Sequence, residues 1–179
     1  MLADRIDRIT PSATLAMTAK AAELRAKGVD VINLSVGEPD FPTPENIRTA
    51  GKRAIDEGHT RYTPGGGTIE LKKAAVLKMA RDNDLHYSPD EVLISCGGKH
   101  SLYNACQALF QTGDEIIIFA PYWVSFPDFI SVTGATPVMV NTDPDNQFEP
   151  QFDDLIAKIN SNTKGIIINS PSNPTGGVW

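Results

Sequence analysis

Four loops in the sequence place glycines, aromatic rings or amides where ordinary packing residues would suffice for structure. They read SCGGKH, APYWVSF, HTRYTPGGG and NSPSNPTGG. Three of them directly follow apolar runs, so their polar groups are predicted at the ends of buried strands, where binding residues commonly lie. Taken together, the four loops indicate a ligand-binding site.

The loop that contains Gly97, Gly98 and Lys99 has the features of an anion site. Glycine lets the backbone approach a ligand closely, a helix N-terminus offers N–H groups, and a lysine adds positive charge. A phosphate is the natural ligand, although a Gly-Gly turn between strand and helix also serves tight packing alone. The spacing GGKH matches neither a Walker loop nor a GxGxxG fingerprint.

Two aromatic residues are candidates to contact the same ligand. Trp123 follows the apolar run EIIIFA, at the expected mouth of a crevice, where an indole can stack on a flat heterocycle. The alternative is an indole that fills the core between helix and sheet. Tyr62 lies in a glycine-rich loop, where its phenol can reach an anionic oxygen or be an ordinary turn residue.

The loop NSPSNPTGG is the most specific of the four. Pro171 and Pro174 stiffen the chain on either side of Asn173, so its amide can be held in a fixed orientation. An amide can donate to a phenolate oxygen without adding charge. A simple turn after a buried strand requires none of these residues.

The apolar patterns that must position these loops predict an α/β fold. After Pro89 come four continuous apolar runs, EVLISC, EIIIFA, TPVMV and KGIIIN, which predict strands buried on both faces. The segments SLYNACQALFQTGD, YWVSFPDFISVTGA and QFDDLIAKIN predict crossover helices, the first stopped by Gly113 and the second broken near Pro127. This alternation predicts a doubly wound sheet with its ligand at the carboxyl ends of the strands.

The N-terminal half predicts three helices and one short strand. A helix is expected over residues 12–27, with Gly28 as its stop. Two more are expected in TPENIRTAGKRAIDEG, with Thr43 as N-cap, and in GTIELKKAAVLKMARDN, with Thr68 as N-cap. The segment VINLSVGEPDF predicts the strand.

Composition and charge argue against several classes of partner. The chain has 179 residues, a formal net charge of −6 and a pI near 5.0, without the cluster of Lys and Arg that nucleic acid or an anionic membrane requires. It has neither the apolar core of a secretion signal nor a segment long enough to span a bilayer. His59, His86 and His100 are too scattered for a metal site. Cys96 and Cys106 lack CxxC spacing, which favours reduced, buried thiols in a cytoplasmic protein.

The ordered motifs resemble those of a known family. PSAT, VGEPDF, YTPGGG, GGK, DEIIIFAPYWVSF and NSPSNPTG are similar to the N-terminal part of class I pyridoxal-phosphate aminotransferases, closest to the bacterial aspartate aminotransferase type. The resemblance covers essentially the whole chain but under half of the usual family length. It implies the first part of a fold type I large domain, with residues 1–30 as an arm and helix of the small domain and residues 31–179 in the large domain.

The resemblance also implies how the cofactor is held. Trp123 would stack on the pyridine ring of pyridoxal 5′-phosphate, and Gly98 and Lys99 would lie beside its phosphate. Asn173 would hydrogen-bond the 3′-oxygen of the ring. Tyr62 would reach the phosphate of the neighbouring subunit's cofactor, which implies a homodimer.

The substrates implied by the resemblance are an amino acid and a 2-oxo acid. Gly37 would give its backbone to a substrate carboxylate that Asn173 and Trp123 also help to hold. Thr14 and Lys99 would read a distal carboxylate, so aspartate is expected as donor and 2-oxoglutarate as acceptor. Same-fold aminotransferases for aromatic amino acids or prephenate are the alternative.

Transamination needs a lysine that forms a Schiff base with the cofactor and an acidic partner for the pyridinium nitrogen. In the family both follow the NPTG motif, so we expect no catalytic residue in this chain and an isolated fragment that is inactive. We also expect the fragment to pair with a second copy or with a chain that carries the remainder. Two further alternatives are a truncated, non-catalytic binding or assembly module and a nicotinamide dehydrogenase, which the missing dinucleotide fingerprint disfavours.

Overall fold

A computed structural model describes residues 2–34 and 37–179. The chain forms two compact units, one made of Met1–Ser35 with Leu102–Trp179 and the other of Val36–Ser101. Within the described residues the α-helices are α1 Ala13–Ala26, α2 Glu45–Asp56, α3 Ile69–Asn83, α4 Gly98–Leu109, α5 Ser125–Ser131 and α6 Phe152–Lys158. The strands there are β1 Glu115–Ala120, β2 Thr136–Asp143, β3 Glu149–Pro150 and β4 Thr163–Ile167. The predicted domain boundary at residue 30 stays a prediction.

The first unit is built on a four-stranded sheet with the order β3-β2-β1-β4. β1 lies parallel to both β2 and β4, and β3 adds a short antiparallel pairing to the end of β2. Three of the predicted strands, EIIIFA, TPVMV and KGIIIN, are therefore confirmed as β1, β2 and β4. The predicted α/β fold with a mainly parallel sheet is confirmed as well.

Both faces of β1 are covered because its central residues are all apolar. Ile116 and Ile118 face one layer, whereas Ile117 and Phe119 face the other, as the period of two along a strand requires. The first layer also contains Cys106 of α4 with Phe126, Phe129 and Ile130 of α5, and the second contains Val140 of β2, Leu155 of α6 and Trp179. Each of the three isoleucines of β1 is fully buried and contributes about 1.5–3 kcal/mol of transfer free energy.

The order of the strands creates a switch point beside β1. The chain passes from β1 through α5 to β2, and then through α6 to β4, which pairs with the opposite edge of β1. In doubly wound sheets, ligands bind outside the carboxyl ends of the strands at such a point. The loops that follow β1 and β4 therefore lie where the fold favours a ligand.

Helix α1 begins and ends as the sequence predicts. The Ser12 hydroxyl accepts from the Leu15 N–H at 3.3 Å, and Gly28 takes a φ of 79° after the helix, a conformation that suits glycine. Just before α1, the N–H and the hydroxyl of Thr10 both donate to Oδ1 of Asp128 at 3.3 Å. These bonds tie the N-terminal segment to α5.

Helices α2 and α3 belong to the second unit. Thr68 caps α3 by accepting from the Leu71 N–H at 3.4 Å, as predicted. The predicted cap of α2 is wrong by one residue, because Pro44 occupies the N-cap position and Thr43 precedes it. Pro44 has a ψ of 142°, which is not helical, so the helix begins only at Glu45.

A close backbone contact joins the turn before α3 to the segment 92–96. The Ile94 N–H donates to the Gly66 carbonyl at 3.0 Å. A Cβ on Gly67 would lie 2.5 Å from Cγ1 of Ile94, and Gly67 also has a φ of +98°. Glycine is therefore required at this position both by conformation and by space.

Two predicted strands are wrong within the described residues. EVLISC forms no ladder, and Leu93 within it is 63% exposed. A strand persists only beside a partner that satisfies its backbone groups, and no strand of the described chain lies beside this run. Residues 31–34 and 37–41 of VINLSVGEPDF are also not in a strand, and Ser35 and Val36 lie outside the described residues.

Pro127 and Gly113, which were predicted to break or stop helices, have other positions in the structure. Pro127 does not break α5 because it lies in the first turn, where a backbone N–H has no intrahelical acceptor. Helix α4 already ends at Leu109, and Gly113 instead takes a φ of 98° in the turn that leads to β1. Cys96 is exposed rather than buried, whereas Cys106 is buried as predicted, and both are free thiols.

Among the residues that the structure describes, no helix is long and apolar enough to cross a membrane. No group of three or more His, Cys, Asp or Glu side chains there is placed to hold a metal ion.

Candidate active site

The loops after β1 and β4 begin side by side at one edge of the sheet. β1 ends at Ala120 and β4 ends at Ile167, and Ile118 pairs with Ile167 in the parallel register. A small pocket lies between the two loops. It is lined by Pro121 and Tyr122 from the first loop and by Asn169, Ser172 and Asn173 from the second. The structure thus brings Asn173 and the loop of Trp123 together.

The loop after β4 is held in shape by its own hydrogen bonds. The Asn173 N–H donates to Oδ1 of Asn169 at 2.8 Å, and Nδ2 of Asn169 donates to the Pro171 carbonyl at 3.3 Å. Farther along, the Ser172 N–H donates to the Gly177 carbonyl at 2.8 Å. Asn173 itself is exposed. Its side chain therefore projects from a backbone that is already ordered.

Trp179 fastens the same loop to the sheet. The backbone N–H of Trp179 donates to Oγ of Ser170 at 3.3 Å, and the Ser170 hydroxyl donates to the backbone carbonyl of Trp179 at 3.2 Å. Its ring meets Phe119 edge-on, with 5.0 Å between the centroids and an interplanar angle of 75°. The indole Nε1 is buried and has no acceptor among the described residues. A buried donor of this kind costs about 1–3 kcal/mol unless water accepts from it.

Trp123 is half-buried beside the layer formed by α4 and α5. Its ring makes edge-to-face contacts with Phe126, at 5.5 Å between centroids, and with Phe129, at 5.7 Å. Such contacts fix the plane of an aromatic ring. The indole therefore packs against the core while part of it remains exposed. Its stacking on a heterocycle stays a prediction.

The turn before α4 has an open backbone. Gly97 has a φ of +85°, and apart from adjoining residues nothing lies within 4 Å of a Cβ built on Gly97 or Gly98. The Gly97 carbonyl accepts from the N–H groups of His100 at 3.1 Å and Ser101 at 3.2 Å. Lys99 is exposed in the first turn of the helix. A first helical turn with an exposed lysine and open glycines can bind an anion.

The remaining predicted site residues lie in separate surroundings. Tyr62 is fully exposed in the loop before α3, and Gly37 is exposed with open space around it. Thr14 is half-buried in α1, where its carbonyl accepts from Oγ1 of Thr18 at 2.9 Å. It lines an apolar groove between α1 and residues 31–34.

The predicted site residues divide between the two units. The second unit holds Gly37, Tyr62, Gly98 and Lys99, whereas Thr14, Trp123 and Asn173 belong to the first. Their roles toward a cofactor or substrate stay predictions.

Sequence reasoning missed three residues that shape the site, namely Asn169, Ser170 and Trp179. Asn169 and Ser170 directly follow the apolar run of β4, and polar residues at that position commonly hydrogen-bond the backbone of the next turn. That signal was available in the sequence. Trp179 lies outside any periodic pattern and gave none.

Comparison with known proteins decides the family. The sequence profile of the family described as aminotransferase class I and II matches residues 29–179. The chain belongs to this family. The predicted resemblance to the N-terminal portion of class I aminotransferases is therefore confirmed, and members of this family depend on pyridoxal phosphate.

Individual aminotransferases match along nearly the whole chain. The aspartate aminotransferase of Geobacillus stearothermophilus is 50% identical over 178 residues, which are 99% of this chain and 45% of that protein. The aspartate/prephenate aminotransferase of Cereibacter sphaeroides is 51% identical over 178 residues, which are 99% of this chain and 44% of that protein. The chain thus spans under half the length of these relatives.

Solved aminotransferase structures share the fold. The aspartate aminotransferase from Thermus thermophilus with maleate matches with a TM-score of 0.95 and 43% identity, covering 99% of this chain and 47% of that one. The alanine aminotransferase from Pyrococcus furiosus matches with a TM-score of 0.94 and 32% identity, covering 99% of this chain and 46% of that one.

Proposed function

We propose that this chain is the first part of an aminotransferase that transfers an amino group between L-aspartate and 2-oxoglutarate, with pyridoxal phosphate as cofactor. The observation that carries the proposal is that the loops after β1 and β4 lie side by side at the carboxyl ends of the two strands. There Asn173 lies on a loop that Asn169 orders, beside the loop of Trp123. The names of the relatives support the same activity.

The turn at Gly97 fits the phosphate of the cofactor. Both Gly97 and Gly98 have open space where side chains would otherwise stand, so an anion can approach the backbone. The N-terminus of α4 lies at this turn, where the helix dipole favours an anion, and Lys99 adds positive charge there. We assign the phosphate to Gly98 and Lys99.

The loops after β1 and β4 carry the two residues that would hold the ring of the cofactor, Trp123 and Asn173. Trp123, with its plane fixed by Phe126 and Phe129, would stack on the pyridine ring. The Asn173 amide would donate to the 3′-oxygen, which stabilises negative charge on that oxygen without adding a positive group. When bound, pyridoxal phosphate supplies the electron sink that makes the α-proton of the amino acid acidic.

The residues of this chain would orient the cofactor and the substrate, and they would not transfer protons. The family resemblance places the lysine that moves the proton after the NPTG motif, so we assign no catalytic residue to the chain. Gly37 and Asn173 would hold the α-carboxylate of the substrate. Thr14 and Lys99 would read its distal carboxylate, and the Thermus thermophilus structure with the dicarboxylate maleate supports a dicarboxylic substrate.

We further assign the assembled enzyme to a homodimer in the cytoplasm. Tyr62 is fully exposed on a glycine-rich loop, as a residue that reaches the neighbouring subunit's cofactor must be. A tyrosine that completes the site of the other subunit would make the dimer necessary for activity.

The test is a fusion protein in which residues 1–179 replace the matching part of the Geobacillus stearothermophilus enzyme. We expect it to bind pyridoxal phosphate, seen as visible absorbance, and to convert aspartate and 2-oxoglutarate. Asn173→Ala and Trp123→Ala should each lower kcat/KM by about tenfold or more, because each removes about 1.4 kcal/mol or more of oriented binding. Asn146→Ala, on an exposed turn, is the control. A fusion that folds yet takes up no cofactor would refute the proposal.

Prephenate is a second candidate substrate, because several relatives are named aspartate/prephenate aminotransferases. The same fusion protein can be assayed with prephenate and with aromatic 2-oxo acids. A kcat/KM for prephenate equal to or above that for 2-oxoglutarate would favour this candidate.

A further inference from the structure

The outer edge of β2 is closed by side chains and not by a strand. β2 pairs with β1 along one side, and on the other side it pairs with β3 only at Thr142 and Asp143. Its residues 136–141 therefore have no strand on their outer side within the described chain. An open strand edge of this kind offers N–H and C=O groups to any further strand, and soluble proteins block such edges.

The two ends of this edge are blocked by simple means. The backbone N–H and C=O groups of successive strand residues point to opposite sides of the strand. The Met139 carbonyl and the Asn141 N–H bond to α6, so the backbone groups of the odd-numbered residues of β2 point away from β1. Pro137 therefore faces outwards too, and a proline has no N–H to donate. At the other end, the Asp143 carbonyl accepts from the Phe148 N–H at 2.8 Å.

An ion pair from α6 closes the middle of the edge. Nζ of Lys158 donates to the Met139 carbonyl at 2.6 Å and to Oδ2 of Asp154 at 2.7 Å. The same Oδ2 accepts from the Asn141 N–H at 3.2 Å. Side chains of Asp154 and Lys158 are 28% and 31% exposed, whereas those of the i,i+4 pair Glu23 and Lys27 are 46% and 64% exposed.

The bonds of this pair match those of a parallel strand. In a parallel ladder, one residue donates to the carbonyl before its partner residue and accepts from the N–H after it. Around Val140, the Lys158 ammonium makes the first of these bonds and the Asp154 carboxylate makes the second. The two side chains together replace the backbone of one strand residue.

We propose that Asp154 and Lys158 act as a strand mimic that closes the outer edge of β2, so that a second copy of this chain does not add to the sheet there. The i,i+4 spacing places both side chains on one face of α6. Leu155, which packs with Val140 in the core, holds that face toward the strand. This proposal is independent of the proposed enzymatic activity.

Hydrogen exchange of single backbone amides in the 179-residue chain tests the proposal. Asp154→Leu should accelerate exchange of the Asn141 N–H by about tenfold or more. The Val140 N–H, which points to β1, should keep its protection. Glu23→Leu removes a matched i,i+4 pair at the end of α1 and should leave the exchange of the Asn141 N–H unchanged. An Asn141 amide that exchanges equally in Asp154→Leu and in the parent chain would overturn the proposal.

Self-association gives a second measurement. The double variant Asp154→Leu/Lys158→Met should sediment as larger species than the double variant Glu23→Leu/Lys27→Met, which exposes the same side chains elsewhere. Equal sedimentation of the two would also overturn the proposal. If the first double variant loses its circular dichroism, Asp154→Ala/Lys158→Ala and Glu23→Ala/Lys27→Ala replace the two in the same comparison, with the same expected order, because alanine makes neither hydrogen bond to β2.

Discussion

Asn169 and Asn173 are joined by a hydrogen bond in which the side-chain oxygen of Asn169 accepts from the Asn173 N–H at 2.8 Å. The side-chain nitrogen of Asn169 donates to the Pro171 carbonyl at 3.3 Å. One amide thus satisfies two backbone groups of the loop. The position of Asn173, which we assign to the cofactor, therefore depends on a residue to which we assign no ligand contact.

Replacement of Asn169 is expected to weaken cofactor binding through the loop. In the fusion protein, Asn169→Ala should raise the Kd for pyridoxal phosphate by about tenfold, since about 1.4 kcal/mol of loop order is lost. Asn169→Asp keeps the acceptor for the Asn173 N–H and should have a smaller effect. Titration followed by absorbance measures the Kd, with Asn146→Ala as control. A Kd unchanged by Asn169→Ala would show that the loop holds its shape without this side chain.

The two cysteines are expected to differ in reactivity. Cys106 is 3% exposed, and burial raises the pKa of its thiol, so little of the reactive thiolate forms at neutral pH. Cys96 is exposed. A disulfide reagent should therefore modify one thiol quickly and the second slowly in native protein, and both quickly in urea. Cys96→Ser should remove the fast phase alone, and a fast phase that survives this change would contradict the prediction.

Protonation of Asp154 in acid should weaken its hydrogen bonds to Lys158 and to the Asn141 N–H at the edge of β2. Two hydrogen bonds lower the pKa of Asp154, and the one from Lys158 has a larger effect than the one from the Asn141 N–H. A lowered pKa in the folded state means that the stabilisation is present above the unfolded value and is lost as pH falls through the folded value. The amide shift of Asn141 should titrate with a midpoint below the usual range of aspartate, and Lys158→Met should raise that midpoint. The same midpoint with and without Lys158 would show that the ion pair does not set this pKa.

Residue patterns predicted those features that depend on local order along the chain. The apolar run of Ile116, Ile117 and Ile118 predicted a strand covered on both faces, and the stop at Gly28 and the cap Thr68 predicted helix ends that the structure confirms. The ordered motifs predicted the family. These signals need only neighbours in sequence.

Features that depend on distant partners could not be predicted in this way. EVLISC has the composition of a strand, but a strand also needs a partner, and none lies beside it in the described chain. The hydrogen bonds of Lys158 to Met139 and of Asp154 to Asn141 join segments that no local pattern connects. Pro127 was expected to break a helix because its position relative to the helix start was unknown.

Gly67→Ala should be the most damaging of three glycine substitutions. Gly67 has a φ of +98° and would place a Cβ 2.5 Å from Ile94, whereas Gly58 has a φ of +80° with open space, and Gly51 has open space within α2. Urea unfolding should therefore show losses of about 2–3 kcal/mol for Gly67→Ala and about 1 kcal/mol for Gly58→Ala. Gly51→Ala should gain about 0.5–1 kcal/mol, because alanine favours a helix interior. Equal stability of Gly67→Ala and Gly58→Ala would show that the contact with Ile94 relaxes without cost.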